Sequence, residues 1–259
     1  MSDDAPAGEL RHDLEWKLRA AAIPGALLVA LVFHAWPTGH MLQRTFLTMI
    51  PHELGHAITA WWCGFSAIPS LWKTLIPEAR GTIAPVLVGA FNLFLVGYGW
   101  RSQRMQLVAI GIALGLVQFV ATSELAKPTA DAAITFGGDA GAMVLGTLLM
   151  LGFFAPEGWR LRTGGLRWGL LAIGAAAFVD TFSTWWAART DQGAIPFGEI
   201  EGVGLSDPSK LEDVYGWTTR HIVDRFVLVG ALCLAVLAVV WLWAVWDARR
   251  RVAVTDSRR

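Results

Sequence analysis

TFLTMIPHELGHAITAWWC, residues 45–63, is an apolar run that contains the pattern H-E-x-x-H at His52, Glu53 and His56. On a helix, residues four apart lie one turn apart on one face, so both imidazoles point the same way. Two imidazoles at that spacing suit one zinc ion, and a glutamate between them is placed to take a proton from a water on that metal. Two histidines and a glutamate are expensive inside a bilayer, where an ionisable residue marks a functional site by default. Pro51 lies within the run and is expected to kink it, freeing a carbonyl one turn earlier.

The rest of the chain has the composition such a run needs. Of 259 residues, 54% are hydrophobic and only 16% charged. The mean hydropathy is +0.47. These values exclude an ordinary soluble domain and indicate an all-α polytopic membrane protein. The formal net charge is zero, so no global field recruits nucleic acid. Cys63 and Cys233 both sit in apolar runs and make no disulfide framework, and Cys63 reads as a packing residue. The first apolar run follows an acidic start and lacks a cleavage site, so no cleavable signal is expected.

Seven apolar runs order the chain: 20–36, 44–63, 81–100, 105–125, 142–155, 168–188 and 226–246. Six to seven transmembrane helices are therefore expected, with the histidine motif in the second. Residues 1–19 form a polar N-terminal segment, 20–248 a single transmembrane domain with a long polar loop at 190–224, and 249–259 a basic tail. Runs 81–100 and 105–125 form a tight helical hairpin across Arg101–Arg104, in which Asn92 bonds across helices or turns toward the site. Residues 64–80 re-enter beside the motif or lie on the surface. His34 and His40 read as interfacial histidines, and Glu124 with Lys127 as an interfacial ion pair. Residues 132–137 are expected to enter the membrane extended, with the Gly137–Gly138 pair forming a sharp turn. Most tryptophans lie near the ends of the runs, as interfacial anchors do.

A catalytic zinc wants three protein ligands and one open position. If every run spans, Asp139 enters from the face nearer His56, and Asp180 sits about 12 Å below that face. Asp139 is the expected third ligand, because the glycine pair brings its backbone close to another helix. Asp180 stands as the alternative ligand, as a group orienting a histidine N–H, or as a polar contact between helices. Asn92 is a further candidate near the site.

A His-Glu-Leu-Gly-His motif in an apolar helix, followed by Gly138-Asp139-Ala140-Gly141 opening a later one, resembles the site-2 protease class of intramembrane zinc metalloproteases. The resemblance covers about residues 45–155. It implies His52, His56 and Asp139 as zinc ligands and Glu53 as general base. It also implies metal-assisted hydrolysis of peptide bonds in or near the transmembrane helix of a partner protein, itself held in the lipid bilayer. The family's Asn-Pro context before the aspartate is absent, and an additional hairpin lies between the two motifs. The expected location is a bacterial inner membrane, as a multi-pass protein. Two other readings stand beside this one: a transporter or metal-handling protein using His52, His56 and Asp180 as an ion path, and an inactive protease-like scaffold. Oligomeric state, substrate and orientation stay open.

Overall fold

The computed structural model describes residues 6–156, 158–162, 165–200 and 204–256. The first five residues of the polar segment and the last three of the basic tail lie outside them. The described chain is mostly helical, with two very short antiparallel strand pairs in its loops. Six of its helices are long and apolar enough to cross a membrane, over Leu14–Ala35, Ile83–Arg101, Met105–Glu124, Lys127–Phe154, Leu166–Ala187 and Thr219–Arg251. Many large apolar side chains on them face outward; Leu93 is 74% exposed. Water would not tolerate such a surface, whereas a bilayer covers it.

The motif helix is not among the six. Helix α1 runs Pro6–Ala35 and α2 Pro37–Gln43; a π turn follows at Arg44–Thr48, and α3 covers Met49–Trp62. Helix α3 has 14 residues, which at about 1.5 Å each falls short of a ~30 Å hydrocarbon layer. Pro51 sits in its first turn, where the missing N–H costs least, and the π turn just before it takes up the change of pitch. Gly64, at φ 91°, stops the helix. Phe65 N–H donates to the Ala60 carbonyl and Gly64 N–H to that of Trp61, the paired bonds of a Schellman end.

A second departure concerns the glycine pair. No extended entry or turn occurs at Gly137–Gly138: both lie inside one helix, α6, Lys127–Leu151, with Asp139 in its interior. A glycine in a helix costs about 1 kcal/mol relative to alanine. Close packing against α3 offsets it: a Cβ on Gly138 would collide with the His52 and His56 rings, and one on Gly141 with the Gly55 backbone. The run 142–155 is thus the second half of a longer helix.

The chain divides into two compact units. One comprises Met49–Ala142 and Ala188–Asp224, the other Met1–Thr48, Met143–Ala187 and Arg225–Arg259. In the first, the hairpin of α4 (Ile83–Arg101) and α5 (Met105–Phe119) forms as its sequence indicates, turning through Gln103 at φ 55°. Asn92 donates to Gln118 Oε1 at 2.9 Å, so it bonds across this hairpin. Lys127 pairs with Asp131 at 2.7 Å, one turn along its own helix, rather than with Glu124. Residues 64–80 form strands β1 (Ile68–Pro69) and β2 (Thr74–Leu75). Arg80 donates to the carbonyls of Cys63 and Leu125 at 2.9 and 2.6 Å, capping two helix ends. Ala57, Ala60, Cys63, Phe65, Ala130 and Ile134 pack as this unit's core, so Cys63 is a packing residue.

The polar segment 190–224 folds onto itself. It holds β3 (Glu199–Ile200), β4 (Gly204–Leu205) and a single helical turn, α8 (Asp207–Ser209), capped by Ser206. The Phe136 and Trp217 rings tie it to α6 with centroids 5.7 Å apart. In the other unit, α7 (Leu166–Ala187) and the last helix, α9 (Thr219–Asp256), carry Trp185 and Phe226, whose rings stack 4.1 Å apart. Gly146 and Gly174 let α6 and α7 touch backbone to backbone. Glu15 on α1 takes Arg162 at 2.8 Å and Arg19 at 3.1 Å.

Candidate metal centre

His52, Glu53 and His56 are all buried on α3. His56 Nδ1 lies 2.7 Å from the Ile134 carbonyl, which only accepts, so this nitrogen carries the proton. His52 Nδ1 lies 2.9 Å from Asp139 Oδ1, a carboxylate oxygen that likewise accepts. Both rings are therefore anchored through Nδ1, and both Nε2 atoms turn to one point, 3.1 Å apart. The ring planes stand at 89°.

A third donor faces them. Asp207 Oδ2 is 2.9 Å from His56 Nε2 and 3.2 Å from His52 Nε2. Burial by itself raises a carboxyl, but the hydrogen bonds and charge of the two imidazoles outweigh it and hold Asp207 well below the usual carboxylate range. With a proton on each Nδ1 and none on Nε2, two nitrogen lone pairs and a carboxylate oxygen would meet at this point. Such a group needs added protons or a cation. Donors bonded to one zinc at about 2.0–2.1 Å in a tetrahedral arrangement sit roughly 3.3 Å apart. The three spacings here, 2.9, 3.1 and 3.2 Å, come close to that value.

Asp139, the third ligand expected from the sequence, lies beside His52: its carboxylate meets Nδ1, the nitrogen on the far side of the ring from the Nε2 cluster. An aspartate behind a ligating histidine fixes its tautomer and orientation. The residue that faces both Nε2 atoms, Asp207, was only one of several acids in the 190–224 segment. Its local signal was Ser206-Asp207-Pro208, a helix-start pattern that satisfies itself through the Ser206 cap and implies nothing about metal.

Glu53 is met from the other side by the 64–80 segment. Thr74 Oγ1 lies 2.7 Å from Glu53 Oε2 and 2.8 Å from the Glu53 carbonyl, so the hydroxyl can donate to the carboxylate. Of the two options for residues 64–80, the hairpin lies beside the motif. Its Leu71 and Trp72 are exposed, as suits an apolar surface against lipid or a bound chain. Asp180, the alternative ligand, is gathered with Arg44, His34 and His40. Asn92 belongs to the α4–α5 hairpin. His221 packs edge-on against Trp217, with centroids 4.8 Å apart.

Comparison of the chain with family models, with curated proteins and with solved structures returned no match, so the geometry of this centre carries the functional argument.

Proposed function

We propose that the chain is a membrane-embedded zinc metallopeptidase that hydrolyses peptide bonds in or near transmembrane segments of partner proteins. One observation carries the reading: on the helix that bears Glu53, two imidazoles anchored through Nδ1 turn their Nε2 atoms, with Asp207 Oδ2, to a single point. His52, His56 and Asp207 would hold the ion, a ligand set that leaves the fourth tetrahedral position open. Bound there, zinc supplies Lewis acidity, which activates water at neutral pH and polarises a carbonyl.

The remaining roles fall to the chain itself. Glu53 accepts the proton of the attacking water and passes it to the leaving amine nitrogen. Thr74 holds the Glu53 carboxylate in place through Oε2. Asp139 and the Ile134 carbonyl keep both imidazoles in the tautomer that presents a bare Nε2. Burial of all three motif residues limits stray water. A substrate helix must unwind locally before a carbonyl becomes accessible to this chemistry, since a helix holds its carbonyls in its own hydrogen bonds.

The test joins metal content to cleavage. Detergent-purified protein should hold zinc in the wild type and in Glu53→Gln, while Glu53→Gln loses about 100- to 10,000-fold of its hydrolysis of a panel of transmembrane-segment peptides. A wild type without zinc at the His52–His56 centre after reloading, or cleavage unchanged in Glu53→Gln, overturns the proposal.

A further inference from the structure

A second group of metal-type donors lies in the other unit. His34 ends α1, His40 lies in α2, Arg44 opens the π turn and Asp180 lies on α7. Asp180 is fully buried, and Arg44 Nη1 approaches its Oδ2 at 3.2 Å. The other oxygen, Oδ1, faces His40 Nε2 at 2.7 Å and His34 Nδ1 at 3.6 Å. The imidazole centroids are 4.4 Å apart.

Ion pairing accounts for this cluster only in part. Asp180 Oδ1 and His34 Nδ1 are both buried without a hydrogen-bond partner, despite the close approach of His40. A polar atom left so costs roughly the desolvation of the group, and a native fold rarely keeps two side by side. One carboxylate oxygen shared by two imidazole nitrogens, with His34 Nδ1 left over, is an arrangement that a shared cation would hold. The three atoms lie within 4.8 Å of one another. Their chemistry, two imidazoles and one carboxylate, suits zinc and its first-row neighbours rather than calcium or magnesium, which take oxygen.

We propose that His34 Nδ1, His40 Nε2 and Asp180 Oδ1 form a second site for a divalent transition-metal cation, one that clamps the end of α1 and α2 to α7. Arg44 has two effects on it. It occupies Oδ2, which fixes the carboxylate with Oδ1 toward the imidazoles, as partners behind a metal ligand do. Its charge also opposes the cation. The His40 side chain is 42% exposed, so an ion reaches the buried carboxylate past it. A site with a fixed opposing charge and an open edge exchanges its metal readily, in contrast to the buried centre on α3. The proposal stands on its own donors and does not depend on peptidase activity.

The experiment is a Co2+ titration of the full chain in detergent, followed by the visible absorption of the bound ion and by metal count. In a His52→Ala, His56→Ala background, about one equivalent should remain. It should disappear on adding either His40→Ala or Asp180→Asn. Arg44→Gln should tighten it by about tenfold, because an opposing charge is removed at close range. Wild type supplies the independent arm: two equivalents should fall to one with His40→Ala alone, a change at a half-exposed position. No equivalent in the double-alanine background, or one that survives both His40→Ala and Asp180→Asn, overturns the site. A wild-type count that His40→Ala leaves unchanged overturns it too. These variants leave the His52–His56 centre intact or remove it deliberately, so failure here is distinct from failure of the peptidase reading.

Discussion

Each of the two units gathers two histidines and one aspartate, but with opposite construction. At the α3 centre, both histidines sit on one helix, each ring is anchored through Nδ1, and all three donor residues are at least four-fifths buried. At the α1–α7 cluster, the two histidines lie on different helices, His40 is half-exposed, and Arg44 shares the carboxylate. Anchored imidazoles cannot turn away when the metal leaves, so the α3 centre is preorganised and should bind tightly. Unanchored ones can turn, and the second cluster should bind weakly. The contrast between the two clusters leads to the expectation that the group standing behind a ligand tunes its affinity, by less than the ligand itself supplies.

The largest effect tests that expectation at its strong end. Asp207→Ala should lower zinc affinity at the α3 centre by well over ~100-fold, more than the loss of any partner behind a ligand. Isothermal titration on Chelex-treated protein measures it, and unchanged zinc content would remove Asp207 from the ligand set. Asp139→Asn should weaken zinc less, by about 10- to 100-fold, while leaving stoichiometry at saturating metal intact. If Asp139→Asn abolishes zinc and Asp207→Ala keeps it, the two roles are reversed.

Next comes the packing that aims the rings. Gly138→Ala puts a methyl into the His52 and His56 imidazoles. It should cost about 1–3 kcal/mol of stability and displace the rings. A Tm that falls while zinc release speeds up checks it; an unchanged protein would mean the two helices are not in close contact here. Thr74→Val removes the hydroxyl at Glu53 Oε2 and should cut the hydrolytic rate by about tenfold with zinc content unchanged, in line with a hydrogen bond to a charged group. A loss of zinc instead would give Thr74 a structural role. The smallest effect is Asn92→Ala, which loses one interhelical bond worth about 0.6 kcal/mol and should leave both metal sites alone. Metal lost in that variant would bring the hairpin into the comparison.

Much of the architecture was legible because hydropathy is a local property. The tight α4–α5 hairpin follows from two apolar runs separated by a few polar residues. One local inference failed. The Gly137–Gly138 pair and the chain just before it looked extended, because a lone chain gains nothing by making glycines helical; against α3, their lack of Cβ permits a contact that no other residue allows. Asp139 meets His52 at Nδ1, a detail that spacing along a chain does not specify, since spacing does not say which imidazole nitrogen a carboxylate meets.

That His52 and His56 share one helix face was determined by the sequence alone, because a four-residue spacing puts two side chains on one face of any helix. The apolar spans were likewise determined, because length and hydropathy set what a bilayer accepts. Only the tertiary structure decided that Asp207 faces the Nε2 atoms, that Thr74 meets Glu53, and that Asp180 joins His34, His40 and Arg44. These pairings join residues from 21 to 155 positions apart. No local pattern encodes them, because each aspartate or threonine is an ordinary cap, loop or helix residue until packing brings its partner within reach.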